Sequence, residues 1–489
     1  MPRQVGRVQL RMPPERAGVY GRGTCGVYAQ RWLALSKLQR PSFAGPLKQR
    51  PQLVVRLGFV TIISSQLFNS HWTGDVDSNC PDLRINSERL LKDFEQLSEI
   101  GATVGGGVSR LALSNEDLAA RSWFADRIEE AGLLVRDDEV GNLSGLLCAD
   151  DPDAKTLMIG SHLDTVPNGG RYDGAIGVLI ALECLRRVKE TGMKPRCHLE
   201  AINFTDEEGT WKSLFGSNGL IGKISPEDID DALQENMPFR AALYRAGIML
   251  EEAQKARRDP DAILGFLEVH IEQGKTLHEK DLELGIVDRI VGRTTYNVVF
   301  YGEAAHAGTT TADERRDALQ GAAAFIISAH GLVRAEYPEG VVNCGHVSVV
   351  PDSFNVVPAE ASLRVEFRHP DTDTLKEMES RIVRLARDCA VDHRLRVSTE
   401  RALHRAAERM SGYLVKQIES ACRAENVHCA PIASYSGHNA QIMNQMVPAG
   451  MIFLPSVDGI SHNPREFTEW RHVELGANVL LRTILQLTL

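Results

Sequence analysis

Three short segments concentrate histidine and carboxylate side chains, the pairing that binds divalent cations and moves protons near neutral pH. The first is GSHLDTVPNGGRYDGAIG, with His162, Asp164 and Asp173. His162 and Asp164 lie two residues apart, on one side of an extended strand, so Asp164 can orient the imidazole. The same residues could equally be a polar strand end capping the next helix through Asp173. The second segment, NFTDEEGT, places Asp206, Glu207 and Glu208 side by side. Adjacent carboxylates repel, so either all face solvent or a cation gathers them while one serves as general base. The third is LEVHIEQG, in which His270 closes an apolar run; on its own it reads as a structural histidine as readily as a ligand.

The elements around these segments alternate. Arg89–Ile100 and Asn115–Ala131 have helical periodicity, the second opened by Ser114 or Asn115 as a cap. Thr156–His162, His198–Thr205 and Leu264–Ile271 are short apolar runs, with the helical stretch Gly174–Lys189 between the first two. Such alternation predicts β-α-β units and a parallel sheet, whose ligands gather beyond the carboxyl ends of its strands. The texture changes near Gly292. Strand-like Asn297–Gly302, helical Asp313–His330, strand-like Val341–Val349 and Ala361–Phe367, and a helical run from Leu375 to Cys389 describe a small α+β sandwich. The predicted architecture is therefore a large α/β domain with a mostly parallel sheet, over 84–292 and 402–489, interrupted by a smaller inserted α+β sandwich over 293–401.

Length and composition agree. The chain has 489 residues, 43% hydrophobic and 25% charged, an ordinary globular balance that excludes disorder and a polytopic membrane protein. A net charge of −10 argues against nucleic acid as a partner. That charge is unevenly spread: residues 1–74 hold nine Arg and two Lys against the single acid Glu15, a net +10. Residues 1–83 are expected to be a basic, disordered extension, with organelle targeting as the alternative. The apolar stretch 53–68 includes Arg56 and falls short of the ~20 residues of a membrane span. Nine cysteines without a C-x-x-C pair read as free thiols of a reducing compartment, so the expected location is cytoplasmic.

Taken together, the motifs from about residue 86 onward resemble the hydantoinase/carbamoylase branch of the binuclear metallo-aminoacylase and carboxypeptidase superfamily. That branch includes N-carbamoyl-L-amino-acid hydrolases, β-ureidopropionases and allantoate amidohydrolases. The resemblance rests on GGGVSRLALS, GSHLDTV, DGAIGVL, FTDEEG, LEVHIEQG, GEAAHAGTT, FNVVPAEASLRVEFRHP and GISHNPREFTEW. It implies two divalent ions per subunit, Zn or Mn, with Co or Ni also suited. His162 and His270 match ligands of one ion, Glu208 and His462 ligands of the other, and Asp173 the carboxylate shared by both. Glu207 matches the general base and Asp164 the residue steering His162. His306 of the HAG motif matches an oxyanion donor reaching from the inserted domain, which in relatives acts across a dimer interface. A homodimer through that domain is therefore implied. Asn355 and Arg368 match positions that grip a substrate carboxylate, Gln273 a ureido-contacting position, and Gly437 a further substrate-side position. Arg315 follows the HAGTT segment and reads equally as a surface salt bridge.

The implied reaction is hydrolysis of an N-carbamoyl group on a small carboxylate, yielding an amino acid, ammonia and carbon dioxide. N-carbamoyl-L-amino acids or N-carbamoyl-β-alanine lead; allantoate or ureidoglycolate, and a peptidase or aminoacylase of the same superfamily, are the alternatives. An inactive binding homologue would have eroded ligands, which this chain has not. A nucleotide-binding oxidoreductase is excluded because no G-x-G-x-x-G follows a strand. The chain departs from the family pattern at Trp211-Lys212, at Thr311-Ala312 after HAGTT, and at Asn439 where relatives often carry Asp. These departures bear on substrate choice rather than on the chemistry.

Overall fold

The computed structural model describes residues 82–229 and 236–489. The basic extension expected over 1–83 lies outside the described residues for all but its last two positions. In chain order the strands of a nine-stranded sheet begin with Leu134–Asp137 (β1), Leu143–Leu147 (β2), Thr156–His162 (β3), His198–Phe204 (β4), Ile263–Ile271 (β5) and Leu284–Ile290 (β6). The chain then leaves for Gly292–Tyr301 (β7), Ala305–His306 (β8), Val341–Val350 (β9), Val356–Val357 (β10), Glu360–His369 (β11) and Arg396–Arg405 (β12). It returns with Glu408–Arg409 (β13), Cys429–Ser434 (β14) and Ala449–Leu454 (β15).

The large sheet runs β1-β2-β4-β3-β5-β15-β6-β13, with β14 also on β6. Its centre, β4-β3-β5-β15, is parallel throughout, while β1, β2 and β13 pair antiparallel at the flanks. The central strands are almost wholly buried, because a strand covered on both faces has no solvent side to make polar. The helix Ala175–Glu190 is buried along nearly its whole length and packs beside Trp470–Thr488 against this sheet. Ser114 is the cap of the helix Asn115–Glu130, its side chain accepting the Asp117 N–H.

The inserted unit is a four-stranded antiparallel sheet, β12-β7-β11-β9, with the helices Ala318–Glu336 and Thr372–Asp392 on one face. Phe300, Phe325, Leu363, Phe367, Met378 and Ile382 fill the space between. Two details differ from the sequence reading. The first helix begins at Ala318 rather than near 313, where Asp317 caps it by accepting the Leu319 and Gln320 N–H groups. A fourth strand, β12, was not expected. It is an edge strand with no fully buried residue, so its sequence, RVSTERALHR, shows none of the alternation that marks a half-buried strand.

Candidate active site and metal centre

Parallel pairing brings the three segments to one edge. His162 ends β3 opposite Phe204 at the end of β4, and His270 is the penultimate residue of β5, opposite Phe453 of β15. The loops leaving these strands therefore deliver Asp164, Asp173, Asp206–Glu208, Gln273 and Ser461–Glu466 to a common place.

Asp173 is the hub. Its Oδ1 lies 3.0 Å from His270 Nε2 and 3.5 Å from His162 Nε2. Its Oδ2 lies 3.3 Å from His462 Nε2, and Glu208 Oε2 approaches the same nitrogen at 3.4 Å. Two groups able to hold a cation result, His162–Asp173–His270 and Asp173–Glu208–His462, each with its ligand atoms within 4.8 Å of one another. His162 Nδ1 faces the Asp164 carbonyl at 2.9 Å, and His270 Nδ1 the Ile271 carbonyl at 2.9 Å. A carbonyl only accepts, so each Nδ1 carries a proton, and each Nε2, facing Asp173, is the atom that would bind a cation.

The electrostatics call for positive charge. Burial opposes protonation of His162, yet Glu207, Asp173, Asp164 and Glu208 outweigh it and hold its pKa well above the ordinary value. Burial, reinforced by neighbouring carboxylates, pushes Glu207 up to about 7 and Glu208 well above the carboxylate range. Buried acids this crowded are relieved by a divalent cation, and imidazole with carboxylate is a donor set that suits Zn, Mn, Co or Ni. Glu207 Oε2 stands 3.7 Å from His162 Nε2, beside the first group and outside both.

Local backbone chemistry makes this geometry. At the end of β4 the chain turns through Asp206, whose φ is +52° and whose carboxylate accepts the Trp211 and Lys212 N–H groups at 3.1 and 2.7 Å. Burial raises Asp206 to about 7. Gly174 has φ +62°, and a Cβ there would lie 2.3 Å from the His162 ring, so only glycine fits between Asp173 and its helix.

Asp164 holds His162 through its backbone carbonyl, nearer than its carboxylate Oδ1 at 3.7 Å. That carboxylate instead accepts the N–H groups of Glu207 and Glu208 at 3.3 and 3.1 Å. The steering expected of its side chain is thus directed at the β4 loop. Gln273, expected on the substrate, donates from Nε2 to Asp173 Oδ2 at 2.7 Å.

Sequence reasoning missed Glu466, whose Oε1 accepts the Tyr172 and Asp173 N–H groups at 2.9 and 3.0 Å and whose Oε2 accepts from Ser461 Oγ at 2.9 Å. Ser461 Oγ also lies 2.9 Å from Asp173 Oδ2. Burial pushes Glu466 up to about 7. Its place four residues after His462 was the available signal. His438 was missed as well; its ring sits edge-on to His270 at 4.5 Å.

The inserted unit contributes a second group. His306 and Val356 are register partners in β8–β10, and the Ala307 N–H donates to the Asn355 carbonyl, so His306 and Asn355 are neighbours. His306 is exposed, and its Nδ1 accepts the Gly308 and Thr309 N–H groups at 3.0 and 3.2 Å. Nε2 therefore carries the proton and is a donor. Among the described residues no hydrogen bond or ion pair joins His306 or Asn355 to the Asp173 cluster. Arg315 braces the His306 loop by donating to the Thr310 and Ala307 carbonyls. Arg368 reaches toward the catalytic unit: its Nη1 donates to the Tyr435 carbonyl, and Glu366 takes Nε at 2.7 Å. Gly437 lies in the loop that follows, beside Arg405.

The departures are structural in part. Trp211 stacks on Phe239 and donates to the Ala112 carbonyl at 2.9 Å. Thr311 Oγ1 donates to Glu314 at 2.8 Å. Asn439 is fully buried, and neither of its side-chain polar atoms has a hydrogen-bond partner among the described residues.

The chain is similar to known proteins by family, sequence and structure. Residues 158–486 match the model of peptidase family M20/M25/M40. The N-carbamoyl-L-amino acid amidohydrolase of Geobacillus stearothermophilus is 33% identical over 405 residues, 82% of this chain and 99% of the relative. The allantoate amidohydrolase of Bacillus subtilis is 33% identical over 402 residues, 81% and 97%. Among solved structures, an amidase of the hydantoinase/carbamoylase family from Burkholderia multivorans superposes with a TM-score of 0.75 at 31% identity, covering 83% of this chain and 99% of its own.

Proposed function

The chain belongs to peptidase family M20/M25/M40, as a hydrolase of its carbamoylase and allantoate amidohydrolase group acting on carbon–nitrogen bonds other than peptide bonds, and from that premise we propose that it removes the carbamoyl group from N-carbamoyl-L-amino acids or N-carbamoyl-β-alanine. One observation carries the reading: a single carboxylate, Asp173, faces two His/carboxylate sets while Glu207 stands beside them and belongs to neither. In this reading His162, Asp173 and His270 hold one divalent ion, and Asp173, Glu208 and His462 a second. Bound there, such ions supply Lewis acidity and lower the pKa of water toward neutrality.

The protein's own groups do the rest. Glu207 takes a proton from the attacking water and returns it to the leaving nitrogen. The water oxygen bonds to the ureido carbon and one carbon–nitrogen bond breaks, releasing ammonia and a carbamate; the carbamate's remaining carbon–nitrogen bond then breaks with protonation of the nitrogen, giving the amino acid and carbon dioxide. Arg368 and Asn355 grip the substrate carboxylate, the guanidinium by its planar fork. Gln273 and Gly437 line the substrate side. The Nε2–H of His306 is a donor suited to the oxyanion. His306 is exposed and has no link to its own cluster among the described residues. We therefore place His306 of the partner subunit at each site, in a homodimer formed through the inserted unit.

Hydrolysis of allantoate is the second reading, favoured by the equal identity to an allantoate amidohydrolase. The test is ammonia release by metal-stripped protein resupplied with Mn²⁺, across N-carbamoyl-L-amino acids, N-carbamoyl-β-alanine and allantoate. Turnover of an N-carbamoyl compound that depends on added metal is expected. Turnover of allantoate alone selects the second reading. Silence across the panel with metal bound overturns both.

A further inference from the structure

The inserted sheet carries a row of three arginines, of which the proposed reaction uses only Arg368. Arg293 of β7 is the register partner of Arg368 on β11 and of Arg405 on β12. Directly opposed residues point to the same face, so three guanidiniums stand side by side at one end of the sheet. This is the end at which the chain crosses between the two units: β6 ends at Ile290 and β7 begins at Gly292, and β12 ends at Arg405 with β13 at Glu408.

Like charges set opposite one another destabilise a sheet, so the row needs compensation. Glu366 supplies one negative charge, 2.6 Å from Arg368 and 3.5 Å from Arg293. Arg405 has no carboxylate within ion-pair distance and no side-chain hydrogen bond among the described residues. Its Nη1 faces Gly437, 3.9 Å from where a Cβ would stand on that residue. Burial holds Arg293 and Arg405 below the ordinary arginine value, and for both the nearby Glu207 acts in the opposite sense. The unneutralised end of the row is thus partly desolvated, beside the loop of Gly437, and within the field of the proposed general base. A desolvated guanidinium with a free fork is a binding site for a second anion.

We propose that Arg293 and Arg405 form a subsite for a second carboxylate, so that the substrate is an N-carbamoyl amino acid with an acidic side chain. The inference rests on the carbamoyl-hydrolase reading and narrows it. Arg368 takes the carboxylate common to all candidates, and Arg405, flanked by Arg293, takes the one a dicarboxylic substrate adds. The reacting carbon and Glu207 are the same in either case, so only recognition changes.

The test compares kcat/KM for N-carbamoyl-L-aspartate, N-carbamoyl-L-glutamate and N-carbamoyl-L-alanine in the full-length, metal-loaded enzyme and in Arg405→Gln and Arg293→Gln. Expected is a wild-type preference for one dicarboxylate of at least ~10²-fold, with each variant losing at least ten-fold more on that compound than on the alanine derivative. Two results overturn the proposal: preference for the alanine compound, or an equal loss on all three, which would mark the arginines as structural supports. Should no carbamoyl compound be hydrolysed, the carbamoyl-hydrolase reading fails, and calorimetric binding of N-carbamoyl-L-aspartate to Glu207→Gln protein decides the subsite. Binding that Arg405→Gln weakens ten-fold retains it; binding that is absent or unaffected removes it.

Discussion

The two sheets treat charge in opposite ways. Around the large sheet, buried charges away from the metal-ligand set are mostly answered locally. Glu200 on β4 receives Arg258 through two nitrogens, at 2.6 and 2.8 Å, and Ser144 at 2.6 Å. Asp164, Asp206 and Glu466 each accept two or more N–H or O–H groups. In the inserted unit His306 and Asn355 are exposed, and Arg405 has no acid partner among the described residues. Groups that perform chemistry must be held to a fraction of an ångström by satisfied neighbours. Groups that recognise a substrate can leave charge unanswered until the substrate arrives, at a cost to the resting fold.

The largest effect expected from breaking this pattern is in catalysis. Glu207→Gln should keep its divalent metal content and lose at least ~10²-fold in turnover; elemental analysis beside an ammonia assay checks both, and near-wild-type turnover would sink the role. Next is Glu466→Gln, which alters the acceptor of the Tyr172, Asp173 and Ser461 donors. Loosening the support of the shared carboxylate should weaken metal affinity ~10- to 100-fold, measured by competition with a chelating dye.

Stability separates the two sheets further. Burial alone would raise Glu200, but Arg258 and Ser144 hold it down to about 2, against an ordinary 4.5. A depressed carboxylate stabilises the fold above its unfolded pKa and stops doing so as pH falls through its folded value. Glu200→Gln strands Arg258 and should cost ~3 kcal/mol at neutral pH. That difference should narrow as pH drops from about 4.5 toward 2, seen in denaturant melts across pH. The smallest effect belongs to the arginine row. Arg405→Gln removes one of three facing cations and should change stability by less than ~1 kcal/mol, with a stabilising sign. A loss of several kcal/mol there would mean that Arg405 has a structural partner, and the contrast between the sheets would fail.

Much of the site was legible because its residues sit in short apolar-to-polar transitions. His162 and His270 end runs whose burial is nearly complete, and such runs announce a central parallel strand. Edge elements were harder. β12 escaped notice since a strand without a buried face has no alternation to read. Glu466 escaped because its partners, Tyr172 and Asp173, lie almost 300 residues away in sequence, and its nearness to His462 was the one local sign of it.

By itself, the sequence determined the kinds of donor at the site and the elements that carry them. Spacing in the chain makes helices and strands, and the motifs place histidine and carboxylate at the strand ends. The tertiary structure alone decided how Asp173 is shared, with Oδ1 toward His162 and His270 and Oδ2 toward His462. It also turned the Asp164 carboxylate toward the β4 loop and aligned Arg368, Arg293 and Arg405 in one row. Each of these depends on strand order and register, which hydrogen bonds between distant segments set and which no local spacing encodes.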